Sequence, residues 1–261
     1  MRIIGFNIFF CCFLLESLCC SIIKAEEIKV GGYHFPPFVK VSKNNVSGIT
    51  KKMLHEMNII QKKYRFVFFL TSPKRRYYDF EQGKFDLIIF EDLNWGWKKR
   101  DIAASKVFLK GAEVYITKAS PSKDQTYFNH LKNKNIAIIK GYHYGFANYN
   151  SDENYLRKNF NVQFSSYHEG NILKVVFGRA DISVVNLCFL RHFFFTHPEK
   201  KDQLLISDKV DQRYNHTILL RKKALITIKE INAILTKMEN EGIMARLTYN
   251  NNNPIKPKEK K

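Results

Sequence analysis

Residues 90–101, FEDLNWGWKKRD, concentrate groups able to recognise a charged or aromatic solute. Both tryptophans of the chain, Trp95 and Trp97, stand here beside Glu91, Asp92, Asn94, Lys98, Lys99 and Arg100. Carboxylates receive cationic or amine-bearing groups, and indole faces take apolar or cationic ones. The stretch directly follows FDLIIF, an apolar run that reads as a buried strand. It is either a solvated loop or the mouth of a binding site. A second cluster, Gly141–Tyr144, ends another strand ahead of a helical stretch. A helix amino terminus there would offer free N–H groups to an anion, with Tyr142 and His143 as side-chain donors.

These groups need a scaffold, and hydrophobic period and turn residues give its order. EIKVGGY reads as a strand ending at glycines, and the paired prolines of HFPPF hold the next residues extended. NNVSG reads as a turn. A helix follows from Thr50, its cap, with Met53, Leu54, Met57 and Ile60 on one face. YRFVFFL is a strand, SPKRRYYDFEQG a short helix opened by Pro73 and closed by Gly83, and FDLIIF a third strand. Alternating strands and helices over 27–90 imply a parallel sheet with covering helices. AEVYITK, IAIIKG, VQFSSY, ADISVVN and TILLRK continue as strands. Helices are expected from about Tyr144, over EGNILKVVFG and over ITIKEINAILTKMENEGIMARL. The asparagine- and lysine-rich end, 251–261, reads as a disordered tail.

The whole chain sets further bounds. At 261 residues and 45% hydrophobic composition it can bury one large core or two compact ones. Residues 1–25 have the layout of a secretory signal peptide: Arg2, an apolar run from Ile3 to Leu15, then small residues up to Ala25. Cys11, Cys12, Cys19 and Cys20 would leave with it, so Cys188 alone remains and no internal disulfide can form. Cys188 lies in the apolar run ISVVNLCFL and reads as core filler. The net charge of +19 favours anionic surfaces or ligands, although its lysines are scattered along the chain.

The motifs IKVGGYHFPPF, VSGITKKMLHEM, EQGKFDLIIF, LKNKNIAIIKGYHYG, VVFGRADISVVN and MENEGIMARL, in this order, resemble the type 2 periplasmic solute-binding proteins. The nearest branch is family 3, which binds amino acids and similar small polar solutes, and the likeness spans roughly residues 27–250. It implies an α/β fold of two lobes, with mixed sheets, flanking helices and a hinge of two crossing strands. The first lobe would be 27–110 with a return segment at 208–250, and the second 111–207. Ligand would lie in the cleft outside the strand ends, and the lobes would close by hinge motion.

The resemblance also implies site residues. Phe35 matches an aromatic that stacks on the ligand. Arg76 matches an arginine after a proline, although Lys74 replaces the family's tryptophan. Glu91, Asp92 and Asn94 match ligand-facing loop positions. Two family anchors are changed: Lys98 stands where an arginine clamps the ligand carboxylate, and Asn186 where an aspartate holds the ammonium. The grip on a free amino acid is weakened accordingly, since lysine lacks the guanidinium fork and asparagine carries no charge.

Other classes find less support. The chain has no phosphate-binding glycine loop, no G-x-S-x-G and no H-E-x-x-H, and His192 and His197 are too far apart on a helix to pair on zinc. No nucleic-acid recognition motif accompanies KRRYYDF. The expectation is a monomeric periplasmic binding protein without cofactor, metal or nucleic acid, taking a small polar solute for an inner-membrane ABC permease. Two alternatives stay open. One is a basic interaction protein with a degenerate cleft, drawn to anionic lipid or cell-wall material. The other is a dehydratase-like enzyme using Glu91 or Asp92 as its acid.

Overall fold

The computed structural model describes residues 24–43 and 45–252. Most of the expected signal peptide and positions 253–261 of the expected tail lie outside them. The chain runs β1 (Glu26–Gly32), β2 (Lys40–Ser42), β3 (Asn45–Ser47), α1 (Ile49–Ile60), β4 (Tyr64–Leu70), α2 (Arg76–Glu81), β5 (Leu87–Glu91), β6 (Ile102–Ala104), β7 (Leu109–Lys118), β8 (Ile136–Ile139), α3 (Glu153–Asn159), β9 (Val162–Ser165), α4 (His168–Val176), β10 (Ile182–Asn186), α5 (Leu187–Thr196), β11 (Leu204–Arg221), α6 (Ile228–Asn240) and α7 (Ile243–Asn252).

Two halves share one long strand. In the first, β4, β1 and β5 pair in parallel, and residues 217–221 of β11 run antiparallel to β5 and β6. In the second, residues 204–216 of β11 pair antiparallel with β7, which carries β10, and β8 and β9 follow in parallel. The 18 residues of β11 therefore serve both halves, with β7 beside them. β5 is buried along its whole length, as a parallel strand covered on both faces must be. Among the described residues no helix is long and apolar enough to cross a membrane.

Several elements differ from the sequence reading. NNVSG is part of a hairpin, β2 pairing with β3. α1 is capped by Gly48, not Thr50, and Gly48 has φ 115. A Cβ there would lie 2.5 Å from the Phe38 carbonyl oxygen, so a smaller residue than threonine is required. α2 is a turn shorter than expected, and Gly83 closes it at φ 66. No α-helix starts at Tyr144: Gly145–Ala147 form a single 3-10 turn, and α3 begins at Glu153. α5 was not legible, because LCFLRHFFFT is a short apolar run without clear period. The last helical region is two helices, broken at Gly242 (φ 66), and α7 reaches two residues into the expected tail.

Candidate functional site

The end of β5 sets the first wall of the site. Phe90 has a left-handed backbone, φ 65, which a bulky residue rarely adopts. Beside it the β5–β11 pairing shifts register between Thr217 and Ile218, an irregularity of the kind that re-aims side chains. Glu91 is wholly buried. Its Oε2 accepts the Trp97 indole N–H at 2.6 Å, and its Oε1 lies 3.4 Å from Arg76 Nε. Arg76 is itself buried, over the rings of Tyr33 (4.7 Å) and Tyr77 (4.4 Å), and it donates to the Pro73 carbonyl. Burial pulls the Arg76 pKa down, but Glu91 together with Tyr33, Tyr77 and Tyr142 outweighs it, so the pKa is raised and the guanidinium stays protonated. Burial pushes the Glu91 carboxyl up, opposed by Arg76 and by the Trp97 N–H.

The rest of residues 90–101 divides between packing, structure and solvent. Asp92 accepts the Asn94 amide at 2.8 Å and the Asn215 amide at 2.7 Å, so it ties the loop to β11. Asn94, half-buried, completes that turn. Trp97 is fully buried against Phe80 and Tyr77. Trp95 donates from Nε1 to Gln212 Oε1 at 3.0 Å and meets Phe35 edge-on at 5.8 Å. Lys98 is exposed and lines neither of the cavities described below.

The second half supplies the facing wall. The Tyr142 hydroxyl donates to the His34 carbonyl at 2.9 Å. His143 Nδ1 lies 2.6 Å from the Tyr149 carbonyl, which fixes that nitrogen as the donor. Its Nε2 is then an acceptor, 2.7 Å from the Tyr77 hydroxyl, whose proton it shares with the Trp95 carbonyl at 2.6 Å. Burial and the Arg76 charge lower the His143 pKa to about 4. The amides opening the 3-10 turn are not free for an anion. Gly145 and Phe146 donate to the carboxylate of Asp211 at 2.7 and 2.8 Å. Asn186 caps α5, accepting from the Phe189 amide at 3.1 Å, and donates to the Tyr214 hydroxyl at 2.6 Å.

Between the walls lies a cavity of about 10 Å³, enclosed by Tyr33, Phe35, Arg76, Trp95, Glu113, Tyr142 and His143. It has room for about one water. The structure thus gathers Phe35, Arg76, Trp95, Tyr142 and His143 around one space, with Glu91 directly behind Arg76. Asp92, Asn94, Trp97, Lys98 and Asn186 do not line it. Sequence reasoning missed Tyr33, Glu113 and Gln212. Glu113 carried a usable signal: it is a carboxylate inside the apolar strand AEVYITK. It is buried, with Gln212 Nε2 donating to it at 2.8 Å, and burial together with the nearby Asp211 charge raises its pKa to about 8. Among the described residues no group of three His, Cys, Asp or Glu is arranged to hold a metal ion.

No protein-family model and no curated protein sequence matches the chain. Solved structures do. A mutant of ArgBP from T. maritima aligns with a TM-score of 0.64 at 21% identity, over 85% of this chain and 93% of that one. The GluR0 ligand-binding core from Nostoc punctiforme, in complex with L-glutamate, gives 0.66 at 17%, over 87% and 100%. The substrate binding protein of an amino acid ABC transporter gives 0.62 at 16%, over 85% and 97%. At such identities the likeness establishes the fold, which is the two-lobed type 2 periplasmic binding protein fold that the motifs implied.

Proposed function

We propose that the chain is a solute-binding protein of the periplasm that takes a small, amine-bearing polar solute between its lobes and delivers it to an inner-membrane ABC permease. The lobes are 27–110 with 208–250, and 111–207, and β7 and β11 are the hinge. The observation that carries this reading is Glu113. It is a buried carboxylate facing an aromatic-lined interlobe cavity, with a neutral amide as its hydrogen-bond donor. With its pKa raised to about 8, Glu113 keeps its proton near neutrality, because a buried charge without a counter-ion is costly. A ligand ammonium would supply that counter-ion and favour the carboxylate form. Tyr33, Phe35, Trp95 and Tyr142 offer ring faces and edges that suit an alkylammonium. Glu113 takes over the part that Asn186, neutral and committed to its helix, does not play.

Titration calorimetry against arginine, ornithine, putrescine and glutamate tests the proposal. Amine-bearing solutes should bind, and Glu113→Gln should weaken them by about tenfold or more, the loss of one charge-assisted contact. A folded protein that binds nothing in the panel counts against it. That outcome would favour the second reading, a basic interaction protein with a degenerate cleft. The observation behind the second reading is that the polar groups here face protein partners: Arg76 is ion-paired with Glu91, Trp97 donates to Glu91, and Trp95 donates to Gln212. Retention on anionic vesicles at about 150 mM salt, where the Debye length is about 8 Å, would then be its positive test.

A further inference from the structure

A second pocket, of about 290 Å³, lies apart from the interlobe cavity. It shares no lining residue with the interlobe cavity. Tyr142 stands between them, its hydroxyl on the His34 carbonyl and its ring edge-on to His168 at 5.7 Å. Residues 34–41 of the first half form one side of the pocket, and α4 and α5 of the second form the other.

His168 is the feature that demands an explanation. It is the first residue of α4 and is 1% exposed, yet neither Nδ1 nor Nε2 has a hydrogen-bond partner. A buried polar group without a partner costs stability unless something entering the pocket satisfies it. The helix it begins is nine residues long and has no side-chain cap, so its amino-terminal field also acts there. Lys40 adds a charge. Its Nζ sits 2.9 Å from His192 Nε2, to which it must donate, and two of its protons remain. The one carboxylate lining the pocket, Glu169, is exposed. The apolar wall is Phe189 and Phe193. An ammonium, unpaired imidazole nitrogen and a helix amino terminus converge on a negatively charged head, and the two rings suit an apolar body. Imidazoles could also attract a transition metal. Against that, no three such groups here are arranged to hold an ion, and the Lys40 ammonium would repel one.

We propose that this pocket is a second ligand site, for a small organic anion whose carboxylate or phosphate head meets Lys40 and His168 while its ring rests on Phe189 and Phe193. This site does not depend on the solute proposed for the interlobe cavity.

Binding of benzoate and phenyl phosphate to the purified protein is measured beside acetate, inorganic phosphate and Zn²⁺. At least one ring-bearing anion should saturate one site per chain, about tenfold or more tighter than its ringless counterpart, as burial of a ring predicts. Lys40→Gln and His168→Phe should each weaken it by about tenfold or more. Lys40 is half-buried on a short hairpin, so its replacement leaves the core intact even if the His168 variant fails to fold. Glu113→Gln should leave this binding unchanged. The proposal is overturned if no organic anion saturates in the millimolar range, if Lys40→Gln has no effect, if Zn²⁺ alone binds, or if Glu113→Gln abolishes the binding.

Discussion

Arg76 and Glu91 are both withdrawn from water, with Arg76 Nε 3.4 Å from Glu91 Oε1. Such a pair contributes little net stability while intact, but removing one partner strands the other. Arg76→Met should therefore cost roughly 3–5 kcal/mol in urea denaturation, and adding Glu91→Gln should recover much of it. Equal losses in the single and double variants would mean that the two groups do not act as a pair. Glu113 makes a prediction in pH. Its folded pKa is about 8 against an ordinary 4.5, so between these values the folded protein holds a proton that the unfolded chain has released. Stability must then fall as pH rises from about 4.5 to about 8, and Glu113→Gln should remove that fall. His143 works in the opposite direction. Its pKa is lowered from 6.5 to about 4, so its contribution is lost as pH drops below 6.5. The Glu113 effect is read as the difference between wild type and variant at each pH. A difference that stays flat from pH 5 to 8 would refute it. At this scale the sequence was half legible. Residue type marked Arg76, Trp95 and Tyr142 as candidates, and all three line the cavity. Type alone could not separate Trp95 from Trp97, because which ring faces the gap depends on backbone direction around Gly96, which has φ 80.

The elements that hold these side chains were legible where the period was strong. α1 and α6 carry several buried residues at helical spacing, and β4 and β5 are short apolar runs between turn residues. Legibility failed where a tertiary contact replaces a local rule. The segment after Gly141 looked like a helix start, yet its amides are claimed by Asp211, 65 and 66 residues further on. Gly145 permits this approach, since a Cβ there would fall 2.1 Å from the Asp211 carbonyl oxygen. Asp211 also accepts from the Tyr115 hydroxyl at 2.5 Å. One carboxylate on β11 therefore fixes the loop bearing Tyr142 and His143. Asp211→Ala strips an acceptor from three donors, and each hydrogen bond to a charged group is worth about 1.5–3 kcal/mol. The variant should lose at least about 2 kcal/mol by denaturation, and amide exchange should speed up at Gly145 and Phe146. Unchanged exchange there would show that the turn stands without Asp211.

At the scale of the molecule, the interlobe cavity is too small for an amino-acid-sized solute, so the solute binding proposed above requires the halves to part. β7 and β11 are the strands that could bend to allow it. The contacts to be broken are polar and aromatic, the rings of Tyr33 and Phe35 against Tyr142 among them. They include the Tyr77–His143 contact at 2.7 Å, the Tyr142 hydroxyl on the His34 carbonyl at 2.9 Å, and the Lys74–Glu153 ion pair. The Tyr77–His143 contact joins the two halves beside the cavity, where it would hold the closed form with or without solute. Tyr77→Phe removes about 1 kcal/mol from the closed state in both cases, which is about fivefold in the open population. Solute association waits on opening of the empty protein, and dissociation on opening of the filled one. Both rates should therefore rise by about fivefold in stopped-flow measurements, leaving Kd nearly unchanged. A rise in the dissociation rate alone would mean that the empty protein rests open in solution, and the closed arrangement would then belong to the filled state only.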